Sequence, residues 1–186
     1  QRGHVGSLRP PPRGAPRRAG ADEHEGGAVA LHARQVEVAR ALVDAGLAAR
    51  DAKNKGEEQF FLGAALANYP NAVEVAQAQF EIAWMAHDAN DYARSSQMFI
   101  EHLARYVDKD TTNRGKAGYW AARDSERAGK DAVACTLYDA VIYRYSANWY
   151  GYIAQQRLEA MRSQGKCSSG SSPDPLVAKA AANLKT

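Results

Sequence analysis

The sequence predicts an all-α fold, a right-handed α-solenoid built from repeated helix pairs, and three observations carry that expectation. From Ala28 onward the chain runs in long Ala-rich stretches with almost no Pro, a composition that favours helices over strands. Short polar turns interrupt these stretches at intervals. Equivalent residues then recur at a period somewhat longer than the roughly 34 residues of a common helix-pair repeat.

Three pairs are expected, over 28–52 with 56–68, 72–89 with 91–106, and 114–128 with 131–145. Each first helix offers a small residue for close packing: Gly46, Ala83 and Ala122. The second helices answer with bulk at Leu62, Phe99 and Tyr138, then at Leu66, Leu103 and Ile142, and close on Tyr69, Tyr106 and Tyr145. Pro70 follows the first of these tyrosines, where a helix must stop. The turns inside the pairs are Lys53, Asn54, Lys55 and Gly56, then Asn90-Asp91, then Gly129-Lys130. No pair of this kind buries its apolar stripe alone, so stacking on the next pair has to create the core. The array is therefore tetratricopeptide-like, with Val107 to Arg114 lengthening one connection. Each large apolar side chain buried at a matching position contributes about 1.5 to 3 kcal/mol.

A seventh helix is expected over 148–164, capping the stack, with Ala154, Leu158 and Met161 as its apolar stripe. The repeat domain thus spans 28–164. Residues 165–175, GKCSSGSSPDP, have the Gly, Ser and Pro clustering of a linker. From Leu176 to Leu184 an Ala-rich helix follows, expected to open a further, truncated module over 176–186. Residues 1–27, rich in Pro, Gly and Arg, read as a disordered basic tail of a fragment that begins without Met.

Charge and cysteine content narrow the function classes. The net charge is +3, and the five arginines and three acidic residues of 1–27 account for +2 of it, which argues against a nucleic-acid partner. No run approaches the roughly 20 apolar residues of a transmembrane helix. Cys135 and Cys167 lack further ligands at a metal-site spacing. Cys135 reads as a small core residue and Cys167 lies in a flexible stretch, and whether the two pair is left open. His32, His87 and His102 fall on different helices, with His4 and His24 in the tail. Ser95 and Ser96 have no nucleophile elbow, and no glycine loop suits a phosphate. No catalytic residue, metal or cofactor is assigned. Glu57, Glu58, Glu74, Glu81, Glu101, Glu126 and Glu159 are expected on solvated helix faces.

Aromatic residues crowd the last third of the chain, with Arg123, Arg144 and Arg157 among them. The candidate surface for a ligand or partner is Tyr119, Trp120, Arg123, Trp149, Tyr150 and Tyr152. Tyr119, Trp120 and Tyr150 are expected to pack at helix junctions, where a large ring with a polar handle buries well. Arg123 is expected to pair with Glu126 or to cap a neighbouring helix. Trp149 or Tyr152 on a concave face would meet a glycan strand or a peptide.

Several of these residues stand in a recognisable order. Tyr119, Trp120 and Arg123 are followed by the turn Ala128-Gly129-Lys130, by Tyr145, and by Tyr150, Gly151, Ala154, Arg157 and Leu158. This succession resembles the superhelical, non-catalytic region of soluble lytic murein transglycosylases, closely over 76–158 and more loosely over 28–186. The resemblance implies a periplasmic scaffold that positions peptidoglycan beside a separate catalytic domain. It also implies that this chain does not cleave murein, because the catalytic Glu followed by Ser of that family is not in it. The alternative on the same fold is a tetratricopeptide-type adaptor that binds an envelope protein.

Overall fold

A computed structural model describes residues 19–106, 110–168 and 170–186, and among them all regular structure is helical. The order is α1 (Ala19–Asp51), α2 (Lys55–Asn68), α3 (Val75–Asp88), α4 (Tyr92–Tyr106), α5 (Arg114–Arg127), α6 (Asp131–Tyr145), α7 (Trp149–Ser163) and α8 (Pro175–Lys185). None of these is long and apolar enough to cross a membrane. The chain divides into two compact units, 1–34 and 35–186. Of the first, the described part is the opening of α1, which begins at Ala19 rather than at the expected Ala28. The tail expected over 1–27 lies, for residues 1–18, outside the described residues.

Within 35–186 the helix starts follow from local chemistry. Asn54, Asp91, Asn148 and Asp174 each accept a backbone N–H of the first turn, from Glu57, Arg94, Gly151 and Leu176 respectively. A side-chain acceptor there satisfies a donor that has no partner within the helix. The ends are equally regular. One residue in the left-handed region closes α1, α3, α5 and α7: Lys53, Asn90, Gly129 and Gly165. In all four turns the next amide reaches back five residues, from Asn54 to Ala49, Asp91 to Ala86, Lys130 to Ser125 and Lys166 to Met161. That is the Schellman closure.

The core forms two clusters. Leu62, Ala65, Val75, Ala78 and Ile82 gather around Ala39, Val43 and Tyr106. Phe99, Leu103, Leu137, Tyr138, Val141, Leu158 and Leu184 belong to the larger one. The matching bulky positions Leu62, Phe99, Leu103 and Tyr138 are fully buried, as are the small partners Ala83 and Ala122. Leu66, Ile142, Tyr69 and Tyr145 are half-buried. At Gly46 a Cβ would lie 2.4 Å from the Leu62 side chain, so a larger residue there would force Leu62 to shift. Ala154, Leu158 and Met161 bury as the expected stripe of α7.

Helix α8, expected as the start of a further module, packs on α4, α5 and α6. Val177, Ala180, Ala181 and Leu184 join the same core as Phe99 and Tyr138. The Asn183 amide donates to the Leu103 and Ala104 carbonyls near the end of α4, at 2.9 and 3.3 Å. Those carbonyls belong to the last turn, which lacks partners of its own. The intervening segment is tied down as well. Cys167 is disulfide-bonded to Cys135 on α6, and the Ser172 amide donates to Thr136 Oγ1 at 2.8 Å. A covalent loop across a separation of 32 residues stabilises the fold by about 3 to 4 kcal/mol in the chain-entropy account.

Candidate functional site

The residues singled out in the last third do not form one surface. They separate into a buried knot around Glu126, Trp120 in an aromatic cluster with Trp84 and His87, and an exposed pair on α7. Glu126 is one turn beyond Arg123 on α5, and its side chain is only 7 % exposed. Arg123 Nη1 pairs with its Oε2 at 2.8 Å. Arg157, from α7, donates through Nε to the same oxygen at 3.2 Å and through its terminal nitrogen to Oε1. The Tyr138 hydroxyl, from α6, donates to Oε2 at 2.8 Å. Tyr119 is buried beneath, with its ring 6.1 Å from Tyr138 and 6.0 Å from Tyr150. Thus Tyr119, Arg123, Tyr150 and Arg157, taken from two separate motifs, meet at the junction of α5, α6 and α7.

The electrostatics follow from that geometry. Burial by itself raises the Glu126 pKa, but hydrogen bonds from Arg157, Tyr138 and Arg123 outweigh it and hold the carboxyl below its ordinary range. Burial, reinforced by the Glu126 charge, pushes the Tyr138 hydroxyl far up, so it stays a donor. Because the folded pKa of Glu126 is depressed, its contribution is complete above the unfolded value and disappears as pH falls through the folded value. Replacing Glu126 with Gln should cost about 2 kcal/mol at neutral pH. In urea titrations the gap between the two proteins should narrow below about pH 4.5; a gap that stays constant into acid would show that the charge contributes nothing.

Trp120 lies away from this knot, in an aromatic cluster between α3 and α5. Its ring centroid is 5.3 Å from Trp84, 4.4 Å from His87 and 5.2 Å from Tyr119. Lys116 stands 4.3 Å over Trp84, and Arg127 4.7 Å over Tyr92, as cations favour ring faces. Trp149 and Tyr152 are exposed, at 66 % and 54 %, with rings 6.1 Å apart. The Gln156 amide donates to the Tyr152 hydroxyl at 2.7 Å, which orients that ring.

A cluster that spacing did not reveal joins α3, α4 and α5. Asp124 is fully buried and accepts from Ser95 Oγ at 2.7 Å, while His87 Nδ1 lies 2.8 Å from its Oδ2. Arg127 stands 3.5 Å from Oδ1. The set holds a serine, a histidine and an aspartate, but both other groups bond to the carboxylate. A nucleophilic serine must instead bond to its base. Ser95 is also completely buried, so the cluster is a structural knot.

The glutamates expected on solvated faces divide. Glu57 and Glu159 are exposed, but Glu58 and Glu81 are buried at 6 % and 7 %, and Glu126 is enclosed as described. The correction has one cause: a helix face is solvated only where no other helix covers it, and packing decides that. Fold and site together define an all-α helical protein with an inter-helix polar knot and an exposed aromatic pair. No family model, curated protein or solved structure matches the chain.

Proposed function

We propose that this chain is a non-catalytic helical scaffold of a lytic murein transglycosylase-like protein, holding peptidoglycan strands or a partner beside a catalytic domain. On this reading the helices form tetratricopeptide-like pairs in a right-handed α-solenoid. The observation that carries it is the convergence of the resemblance's own residues: Arg123 and Arg157 share Glu126, and Tyr119 packs on Tyr150. Residues that define a motif at two distant places have a reason to occur together when they build one junction. Support for the pairing comes from the repeated turn closure at Lys53, Asn90 and Gly129. The Cys135–Cys167 bond suits an oxidising compartment such as the periplasm.

Trp149 and Tyr152 supply the contact surface in this reading, since flat exposed rings stack on the apolar faces of sugars. The chain should co-sediment with purified murein sacculi without releasing muropeptides. Replacing both rings with Ala should weaken that binding at least about fivefold. If the wild-type chain stays in the supernatant, the glycan reading fails and an envelope adaptor takes its place.

A further inference from the structure

A cavity of about 490 Å³ opens where the end of α1 and the start of α2 face the end of α3 and the start of α4. This volume lies in the range of small-molecule sites. It is separate from Glu126 and from the exposed rings of α7. Ile82, Trp84, Met85 and Ala86 give it apolar walls, and the acidic residues Glu58 and Glu81 line it as well. Glu81 is satisfied: Arg50 Nη1 and Gln77 Nε2 both donate to its Oε1 at 2.8 Å. Glu58 is not. Its residue is 94 % buried, and among the described residues nothing donates a hydrogen bond to its carboxyl. The carboxyl oxygens still reach solvent, so a donor that enters the cavity can meet them directly.

The inner charges indicate which donor would complement it. Two carboxylates against the single guanidinium of Arg50 leave one negative charge on the cavity floor when both are ionised. Burial first, and then the Glu81 charge, pushes the Glu58 carboxyl above its ordinary range, partly countered by Arg50 and Lys55. The charges at the mouth, Lys53, Lys55, Asp88, Asp91 and Arg94, are all exposed and act more weakly through solvent, with Lys55 and Asp88 opposing each other at Glu58. An occupant that fits carries one cation to Glu58 and presents apolar surface to Ile82, Trp84 and Met85.

We infer that this cavity is a binding site for a primary ammonium on a short aliphatic stem, the chemistry shared by a lysine side chain and a free alkyl diamine. The ammonium donates to Glu58 and to the unengaged oxygen of Glu81, and the stem lies on the apolar wall. Nothing in this assignment depends on a role in murein binding.

Isothermal titration with Nα-acetyl-lysine amide, its norleucine counterpart and cadaverine tests it on the whole chain. The lysine derivative should bind saturably in the millimolar range, and the norleucine derivative, equal in stem but uncharged, should not. Cadaverine binding as well as the lysine derivative would assign the source as a free amine; binding of the lysine derivative alone would assign a peptide. Glu58→Gln should weaken binding by about tenfold, the scale of a lost charge-assisted hydrogen bond, whereas Glu159→Gln, exposed on α7 and outside the cavity lining, should leave it unchanged. Equal binding of the norleucine derivative, no saturable binding by either amine, or unaltered affinity in Glu58→Gln would each overturn the assignment. The lysine and norleucine comparison needs no variant, so it decides the matter even if Glu58→Gln folds poorly.

Discussion

Replacing Asp124 with Ala should destabilise the protein by about 3 to 5 kcal/mol, the largest effect expected of any single polar substitution here. Asp124 is fully buried, and three helices meet on its carboxylate: His87 from α3, Ser95 from α4, and α5 itself, with Arg127 nearby. Removing it leaves the Ser95 hydroxyl and the His87 ring nitrogen in the interior without their partner, and desolvated groups of that kind carry most of the cost. Asp124→Asn keeps the shape and one acceptor oxygen, so it should lose less. Ser95→Ala should cost only about 1 kcal/mol, because the carboxylate keeps its other contacts. Chemical denaturation monitored by far-UV circular dichroism measures all three. A loss below about 1 kcal/mol for the alanine variant would mean that the knot is incidental to the packing of α3, α4 and α5.

Gly151→Ala should cost about 2 to 3 kcal/mol, although alanine is the better helix former by about 1 kcal/mol. Gly151 lies in the first turn of α7, and a Cβ there would sit 1.9 Å from the Tyr145 carbonyl oxygen and 2.9 Å from the Ser146 amide nitrogen. Both are backbone atoms at the end of α6, so no rotamer change relieves the clash and α7 must move away. Such a shift would disturb Arg157, which approaches Glu126 from the same helix. Gly63 provides the control. It is within α2, and a Cβ added there would meet nothing within 4 Å. Gly63→Ala should therefore stabilise by about 0.5 to 1 kcal/mol. The opposite signs are measurable in one denaturation series, and two changes of the same sign would refute the steric account.

Much of the helix pattern was legible in the sequence, and particular residues show why. The α6 limits, Asp131–Tyr145, coincide with those expected, because Gly129 and the polar turn before it, like Ser146 after it, are local signals. Others moved by only one or a few residues, with caps such as Asn54 and Asn148 deciding the starts. The start of α1 at Ala19 is the largest departure, since an N-terminal stretch without an apolar stripe carries no period to read. The Arg123–Glu126 pair was also legible, being separated by one helical turn.

Other features of the site had no local signal. Glu58, Glu81 and Glu126 look alike in sequence to the exposed Glu57 and Glu159, and Ser95, His87 and Asp124 are scattered over three helices. Nor did spacing decide whether Cys135 and Cys167 pair, which depends on the path taken after α7. Likewise the Ala-rich run of α8 announced a helix, expected to open a further module, without naming the surface it buries against.

By itself the sequence determined an all-helical chain, the positions of its turns, the bulky residues that fill its interior, and the small residues Gly46, Ala83 and Ala122 at helix contacts. Tertiary structure alone decided that α8 lies on α4, α5 and α6, that Arg157 reaches Glu126, and that Glu58 faces a cavity without a donor. The physical reason is range. Helix propensity, capping and periodicity act within a few residues, whereas the burial of a charge and the partner it finds depend on which distant helix excludes the water.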